Sequence, residues 1–304
     1  MRLIINADDF GLSRGITDKI LKSFDQGCLN STSIMANGHA FDYSIEQLRA
    51  RPSLRVSIHL NLVEGRALYD HRKLSYLTNE EGYFDKTFVT LVKTYCLLGT
   101  SEKKEMKEQI TLEIEAQIEK VKAAIDWPVV VDSHHHTHVL PFIWDCLLSL
   151  HEKHQIKYIR MPREPFYFVA KNGHWGNYFS SNPCKLFLLN RLSKRCQQSL
   201  DGHDVQTPRY FVGVLFTGRM TADSVDKALK VISSRVKDDD LVEVLLHPGG
   251  AEPGEESFWQ RYPDWQGYYY SENRHSEGQL LRDSTFHEII NRYRGISENF
   301  CCSG

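Results

Sequence analysis

No run of apolar residues in the 304-residue chain approaches the length of a membrane span, so an integral membrane segment is not expected. The start, Met1-Arg2-Leu3-Ile4-Ile5-Asn6, enters a strand-like run at once, with neither the apolar stretch nor the cleavage site of a signal peptide. Charge of one sign is also missing: 37 Lys and Arg stand against 39 Asp and Glu, a net charge of −2, which gives no reason to expect nucleic acid as a partner. The cysteines (Cys28, Cys96, Cys146, Cys184, Cys196, Cys301 and Cys302) are 7, an odd number, without CxxC spacing. That pattern suits free thiols in a reducing, cytoplasmic setting better than a disulfide frame. No repeat or low-complexity linker divides the sequence, so one unit over 1–304 is expected.

What the chain does have is alternation of strand and helix. Apolar runs at 3–6, 32–36, 56–60, 129–132, 157–161, 211–216 and 241–246 read as strands, with amphipathic stretches near 14–26, 41–50, 102–125, 142–153, 220–236 and 279–294. This pattern predicts a parallel sheet, either an open one or a TIM-like, irregular (β/α) barrel. Asp8-Asp9, His59, the histidines after Ser133, Arg160 and His247 each fall at the end of a different strand. In a barrel those ends converge on one mouth, which favours the barrel. Residues 163–210 and 252–275 read as insertions at that mouth. Their aromatics (Phe166, Tyr167, Phe168, His174, Trp175, Tyr178 and Phe179, then Trp259, Tyr262, Trp265 and Tyr268-Tyr269-Tyr270) either pack the loops or stack on a sugar ring.

The densest chemistry is Asp132-Ser133-His134-His135-His136-Thr137-His138. If the strand continues through it, Asp132, His134, His136 and His138 share one face and His135 points away. If it bends into a helical turn, His138 joins His134 as a candidate ligand. Imidazole is the commonest nitrogen ligand for a divalent metal. In Asn6-Ala7-Asp8-Asp9-Phe10-Gly11, a single Asp would most simply cap the following helix. Two adjacent carboxylates repel unless their roles differ, one binding a metal and the other acting as base. His59 interrupts an apolar strand, His247 precedes Pro248-Gly249, and Arg160 is either a surface charge or the partner of a catalytic carboxylate. One carboxylate and two imidazoles with open positions make a hydrolytic site: water activated on the metal attacks, a carboxylate takes its proton, and a histidine protonates the leaving amine. That suits amide or ester hydrolysis better than a retaining glycosidase, which needs two acids flanking the bond. The alternatives are a metal-dependent phosphoester hydrolase, for which only Arg160 and Arg163 offer basic support, and a non-catalytic sugar-binding protein.

Taken in order over most of the chain, Asn-Ala-Asp-Asp-Phe-Gly, His59-Leu60-Asn61-Leu62, Asp-Ser-His-His-His-Thr-His and His247-Pro248-Gly249 resemble the YdjC family of carbohydrate deacetylases. That family includes chitooligosaccharide deacetylase and hopanoid-biosynthesis deacetylases. The resemblance implies an irregular (β/α) barrel, one divalent metal usually described as magnesium, and removal of acetyl groups from N-acetylated sugars. It further implies Asp9, His59 and His134 as ligands, Asp8 as base oriented by Arg160, and His247 as acid. Ligand chemistry adds that two imidazoles suit zinc at least as well as magnesium, which prefers oxygen. The implied partner is an acetylated carbohydrate, and the sequence permits a homodimer. The insertions depart from shorter family members; the run 185–192 suits a packed lid helix or, as in the hopanoid branch, contact with a lipid-linked sugar.

Overall fold

The computed structural model describes residues 1–170, 175–260 and 263–294. His174, Tyr262, Cys301, Cys302 and the Trp265 side chain, all noted above, lie outside the described residues.

Seven strands form the sheet: β1 (Arg2–Phe10), β2 (Ser31–Ile34), β3 (Arg55–Leu60), β4 (Val129–Ser133), β5 (Ile156–Ile159), β6 (Tyr210–Val212) and β7 (Leu241–Leu246). All pair in parallel, in the order β5-β4-β3-β2-β1-β7-β6. β1 and β7 are buried almost throughout, as expected of a parallel sheet covered on both faces. Helices supply the outer cover. The helix Thr100–Ala124, close to its predicted extent, buries Met106, Ile110, Ile114, Ile118 and Val121 along one stripe, together with Glu113, which accepts from Leu68 N and Tyr69 N.

The sheet is strongly curled. Five strand spacings separate β5 from β7, about 24 Å in a flat sheet. Yet the Tyr158 hydroxyl on β5 donates to Glu243 Oε2 on β7 at 2.8 Å. The expected barrel is nevertheless not closed. Across the β5–β6 seam the backbone pairing among the described residues comes down to an isolated bridge, Tyr158 to Gln206, and a hydrogen bond from Phe211 N to the Arg163 carbonyl. The cause is local to β6. Gly213, at φ 144°, turns the chain out of the sheet, so the strand expected over 211–216 ends at Val212. The result is a seven-stranded half-barrel.

The helix predicted near 279–294 starts later, as Ser284–Tyr293, capped by Asp283, whose side chain accepts from Phe286 N, while residues 279–280 end a separate helix, Glu272–Leu280. The stretch near 142–153 becomes Pro141–Ser149 and His151–His154. A helix at Phe88–Leu97 had no counterpart in the pattern. Both insertions carry helices, the first at Asn182–Ser199 and the second at Glu256–Trp259 and Pro263–Tyr269. Trp259 and Tyr269 are buried with ring centroids 4.4 Å apart, so these two aromatics pack the second loop. Among the described residues, no helix is long and apolar enough to cross a membrane.

Candidate metal centre

Strict alternation along β1 would send Asp8 and Asp9 to opposite faces. The β1–β2 register shows why it does not: Ala7 pairs with Thr32, but Phe10 pairs with Ile34, so β1 carries one extra residue. Asp9 takes up this bulge at φ 72°, a left-handed backbone that Asp tolerates better than most residues. Both carboxylates then face the same imidazole: His59 Nε2 is 3.9 Å from Asp8 Oδ2 and 3.9 Å from Asp9 Oδ1. Neither Asp caps the next helix. Ser13 does, its side chain accepting from Ile16 N.

His59 and Asp132 are register partners on β3 and β4, and His59 Nδ1 lies 2.5 Å from Asp132 Oδ1. That bond leaves Nε2 as the nitrogen turned toward Asp8 and Asp9. Beyond Ser133 the chain does not stay extended. His135 and His136 take φ of 55° and 57°, two successive left-handed residues that fold His134–Val139 into a tight turn. The shared face expected for His134, His136 and His138 is therefore lost. His134 enters the site, with Nδ1 3.2 Å from Asp9 Oδ1 and Nε2 3.1 Å from Glu64 Oε2. His135 stacks on it at 4.2 Å, and His136 turns its edge to Phe211. His138 has both nitrogens engaged, Nδ1 by the Ser133 hydroxyl at 2.6 Å and Nε2 by the Arg160 carbonyl at 2.7 Å, which removes it as a ligand.

Ligand atoms from Asp9, His59 and His134 all lie within 4.8 Å of one another. Asp9 Oδ1 and His59 Nε2 are buried and make no hydrogen bond. Two buried acceptors facing each other are costly unless a cation or proton lies between them. The surrounding charge points the same way: Asp8, Asp9, Glu64, Asp132 and Glu243 are all buried, against two buried guanidiniums, Arg160 and Arg274. A divalent ion held by one carboxylate and two imidazoles fits this arrangement, and each imidazole has a carboxylate on its other nitrogen, as metal-binding histidines usually do.

The titration behaviour follows. Burial works to raise Asp9, but the His134 imidazole beside it and the charge of Arg274 prevail and hold it well below the usual carboxylate range. Burial works to lower His134, yet Asp9 and Glu64 raise it to about 10. A proton on His134 thus meets the same demand for positive charge that a metal ion would. Burial lowers His138 to about 4 and likewise lowers His136.

Arg160 is fully buried and far from a surface charge. Its Nη1 and Nη2 grip Asp8 at 2.9 and 2.9 Å, its Nε donates to Glu243 Oε1 at 2.7 Å, and Asp132 Oδ2 lies 3.0 Å from Nη2. His247, after β7, is held by its backbone: its N–H donates to Glu277 Oε2 at 2.6 Å. Burial, then the charge of Arg274, lower the His247 imidazole to about 4. Of the six residues singled out from the sequence, Asp8, Asp9, His59, His134 and Arg160 form one contact network, and His247 stands beside it within the fields of Asp9 and Asp8.

Several residues escaped the sequence reading. Glu243 and Glu64 carried a usable signal, each a lone charge in an apolar context, within β7 and three residues past Asn61 respectively. Arg274 and Glu277 carried none, because an Arg and a Glu one helical turn apart read as a solvated helix face.

The family profile described as YdjC-like protein matches residues 2–292. A carbohydrate deacetylase of Oceanobacillus iheyensis is 34% identical over 160 residues, covering 51% of this chain and 63% of that protein. One from Clostridium beijerinckii is 32% identical over 156 residues, covering 51% and 58%. These two matches span less than two thirds of the relatives' length. A third carbohydrate deacetylase, from Listeria welshimeri, is 26% identical over 248 residues, with 82% of this chain and 81% of the relative covered. A solved structure from Enterococcus faecalis, provisionally named a cellobiose-phosphate cleavage protein, is similar at a TM-score of 0.70 and 22% identity, covering 97% and 96% of the two chains. At that identity the likeness speaks for the fold alone.

Proposed function

The chain belongs to the YdjC-like family, and on that premise we propose that it is a metal-dependent hydrolase removing the acetyl group from an N-acetylated sugar. The observation that carries the reading is the convergence of Asp9 Oδ1, His59 Nε2 and His134, with the Asp8 carboxylate beside them. The names of the curated relatives support the substrate class.

Asp9, His59 and His134 would hold the ion. A divalent metal there supplies Lewis acidity for the acetyl carbonyl and lowers the pKa of a water bound to it. Everything else falls to the chain's own groups. Asp8 is the proposed base, kept in one orientation by the Arg160 fork and by Asn6 Nδ2, which donates to its Oδ1 at 2.8 Å. His247 is the proposed acid toward the leaving amine. Burial and Arg274 lower its pKa to about 4, so the proton it gives to the nitrogen would be the one that Asp8 has taken from the water. The donor set of two nitrogens and one carboxylate suits zinc at least as well as magnesium.

Phosphoester hydrolysis fares worse on the same observations, since Arg160 is taken up by three carboxylates and Arg163 lies over Tyr210. A non-catalytic sugar-binding protein would need neither Asp8 nor His247. Acetate release from a panel of N-acetylated sugars, with and without chelator, tests the proposal. Metal-dependent release supports it; a metal-loaded protein that releases no acetate from any of them, or release that survives chelation, refutes it.

A further inference from the structure

Asp9 is a carboxylate with its two oxygens in different circumstances. Oδ1 faces His59 and His134 without a hydrogen bond, whereas Oδ2 accepts from Arg274 Nη2 at 2.8 Å. Arg274 is itself fully buried and held on several sides. Its Nε donates to the Gly249 carbonyl, and its guanidinium carbon lies 4.6 Å from the Tyr268 ring centroid and 4.7 Å from that of Tyr269. One turn along the same helix, Glu277 accepts from His247 N at 2.6 Å and from Met220 N at 3.0 Å. Gly278 comes next, and a Cβ there would stand 2.9 Å from the Pro248 carbonyl oxygen. A single turn of the helix Glu272–Leu280 therefore grips the His247-Pro248-Gly249 segment and reaches Asp9 as well.

We propose that Arg274 is a positioning residue that occupies Asp9 Oδ2 so that only Oδ1 is left for the metal. A carboxylate with both oxygens available can bind a divalent ion through both and fill a coordination position that water or the acetyl oxygen needs. A guanidinium suits this task because its fork is planar, permanently charged and able to hold the Gly249 carbonyl and Asp9 at once, which a lysine ammonium does not match. The 252–275 insertion then acts partly through Tyr268 and Tyr269, whose ring faces hold the guanidinium in place, and its aromatics need not all meet sugar.

This inference rests on the reading of Asp9 as a metal ligand, and the test separates the two. The probe is cobalt(II), whose visible absorption weakens as its coordination number rises. Parent protein that takes up no cobalt or zinc overturns the reading of the site itself. If the parent binds cobalt, Arg274→Met is expected to bind it with a weaker visible band and to lose turnover about 10- to 100-fold, the usual effect of removing a group that orients a ligand. In Arg274→Ala, added guanidinium ion is expected to restore the parent spectrum. Glu277→Gln loosens the helix without touching Asp9 and should leave the spectrum unchanged. A parent-like band in Arg274→Met overturns the proposal, and so does an equal change in Glu277→Gln, which would assign the effect to displacement of the helix. Should Arg274→Met not fold, Arg274→Gln is read by the same spectrum.

Discussion

Glu64 offers the sharpest test of how the metal centre is built. Its Oε2 accepts from His134 Nε2 at 3.1 Å and from the Tyr269 hydroxyl at 3.1 Å. With Nε2 tied to a carboxylate, Nδ1 is left as the nitrogen that faces Asp9, and the anion behind the ring makes it a better donor to a cation. Glu64→Gln preserves size and one acceptor oxygen, so the hydrogen bonds to His134 and Tyr269 can persist and the fold should hold. What disappears is one negative charge behind one ligand. Loss of such a partner weakens metal binding about 10- to 100-fold, equivalent to roughly 1.4–2.7 kcal/mol. The assay is zinc affinity by competition with a chromophoric chelator, with circular dichroism to verify folding. A folded Glu64→Gln protein that binds zinc within about twofold of the parent would refute the argument, because the carboxylate–imidazole pair would then add nothing to the site.

Replacing Asp8 by Asn should leave zinc content intact and lower turnover by about 10²–10⁴-fold, the range of acid–base catalysis; near-normal turnover removes Asp8 as base. Zinc binding joins buried carboxylates to a cation, so the thermal midpoint should rise with added zinc and fall on chelation. At a free zinc concentration about 100 times Kd the gain is about 2.7 kcal/mol, and a midpoint indifferent to zinc contradicts the site. Glu164 makes a pH prediction of its own. Burial raises it to about 7 although the backbone N–H groups of Leu215, Gly213 and Val214 favour its charged form. Its folded pKa thus exceeds the unfolded 4.5, so its contribution to stability is complete below about pH 4.5 and lost as pH rises through about 7. The whole effect is on the order of 3 kcal/mol. In Glu164→Gln the midpoint should fall less steeply over that window than in the parent, and identical slopes would exclude the shift.

The parts of this molecule that were legible in the sequence are those whose neighbours along the chain define them. Seven apolar runs mark seven strands because a parallel sheet buries both faces, and polar residues at the strand ends mark the mouth. Asp8-Asp9, His59 and His134 stood out as ionisable groups where burial was already evident. What escaped depends on backbone events or on long-range contact. Alternation misplaced His136 and His138 because nothing in four closely spaced histidines announces two consecutive left-handed residues. It would equally have parted Asp8 from Asp9 had β1 no bulge. Arg274 touches Asp9 from 265 positions away, and no local pattern encodes that contact. How far the irregular barrel would open was not legible for a similar reason: one glycine after Val212 ends a strand that hydrophobicity alone would extend to Phe216.

The interior of the half-barrel explains why fold and site are inseparable here. Arg160 after β5, Asp8 on β1, Asp132 on β4 and Glu243 on β7 meet in a buried region, with the Ser33 hydroxyl of β2 donating to Asp132 at 2.6 Å. Buried charges of this kind add little net stability when paired, but stranding one of them costs about 3–5 kcal/mol. A one-residue slip of any of these strands reverses every side chain on it, so each wrong register would leave at least one charge stranded. The network therefore penalises misregistered sheets more than it rewards the correct one. The register it selects also pairs His59 with Asp132 and sets Asp9 opposite His59 Nε2. Burial, with the charge of Asp132, pushes Glu243 up despite the guanidinium beside it, a sign that this interior holds more acid than Arg160 can balance. That surplus of negative charge, fixed by strand pairing before any ligand arrives, is what would draw a cation to the mouth of this sheet under the proposed reading.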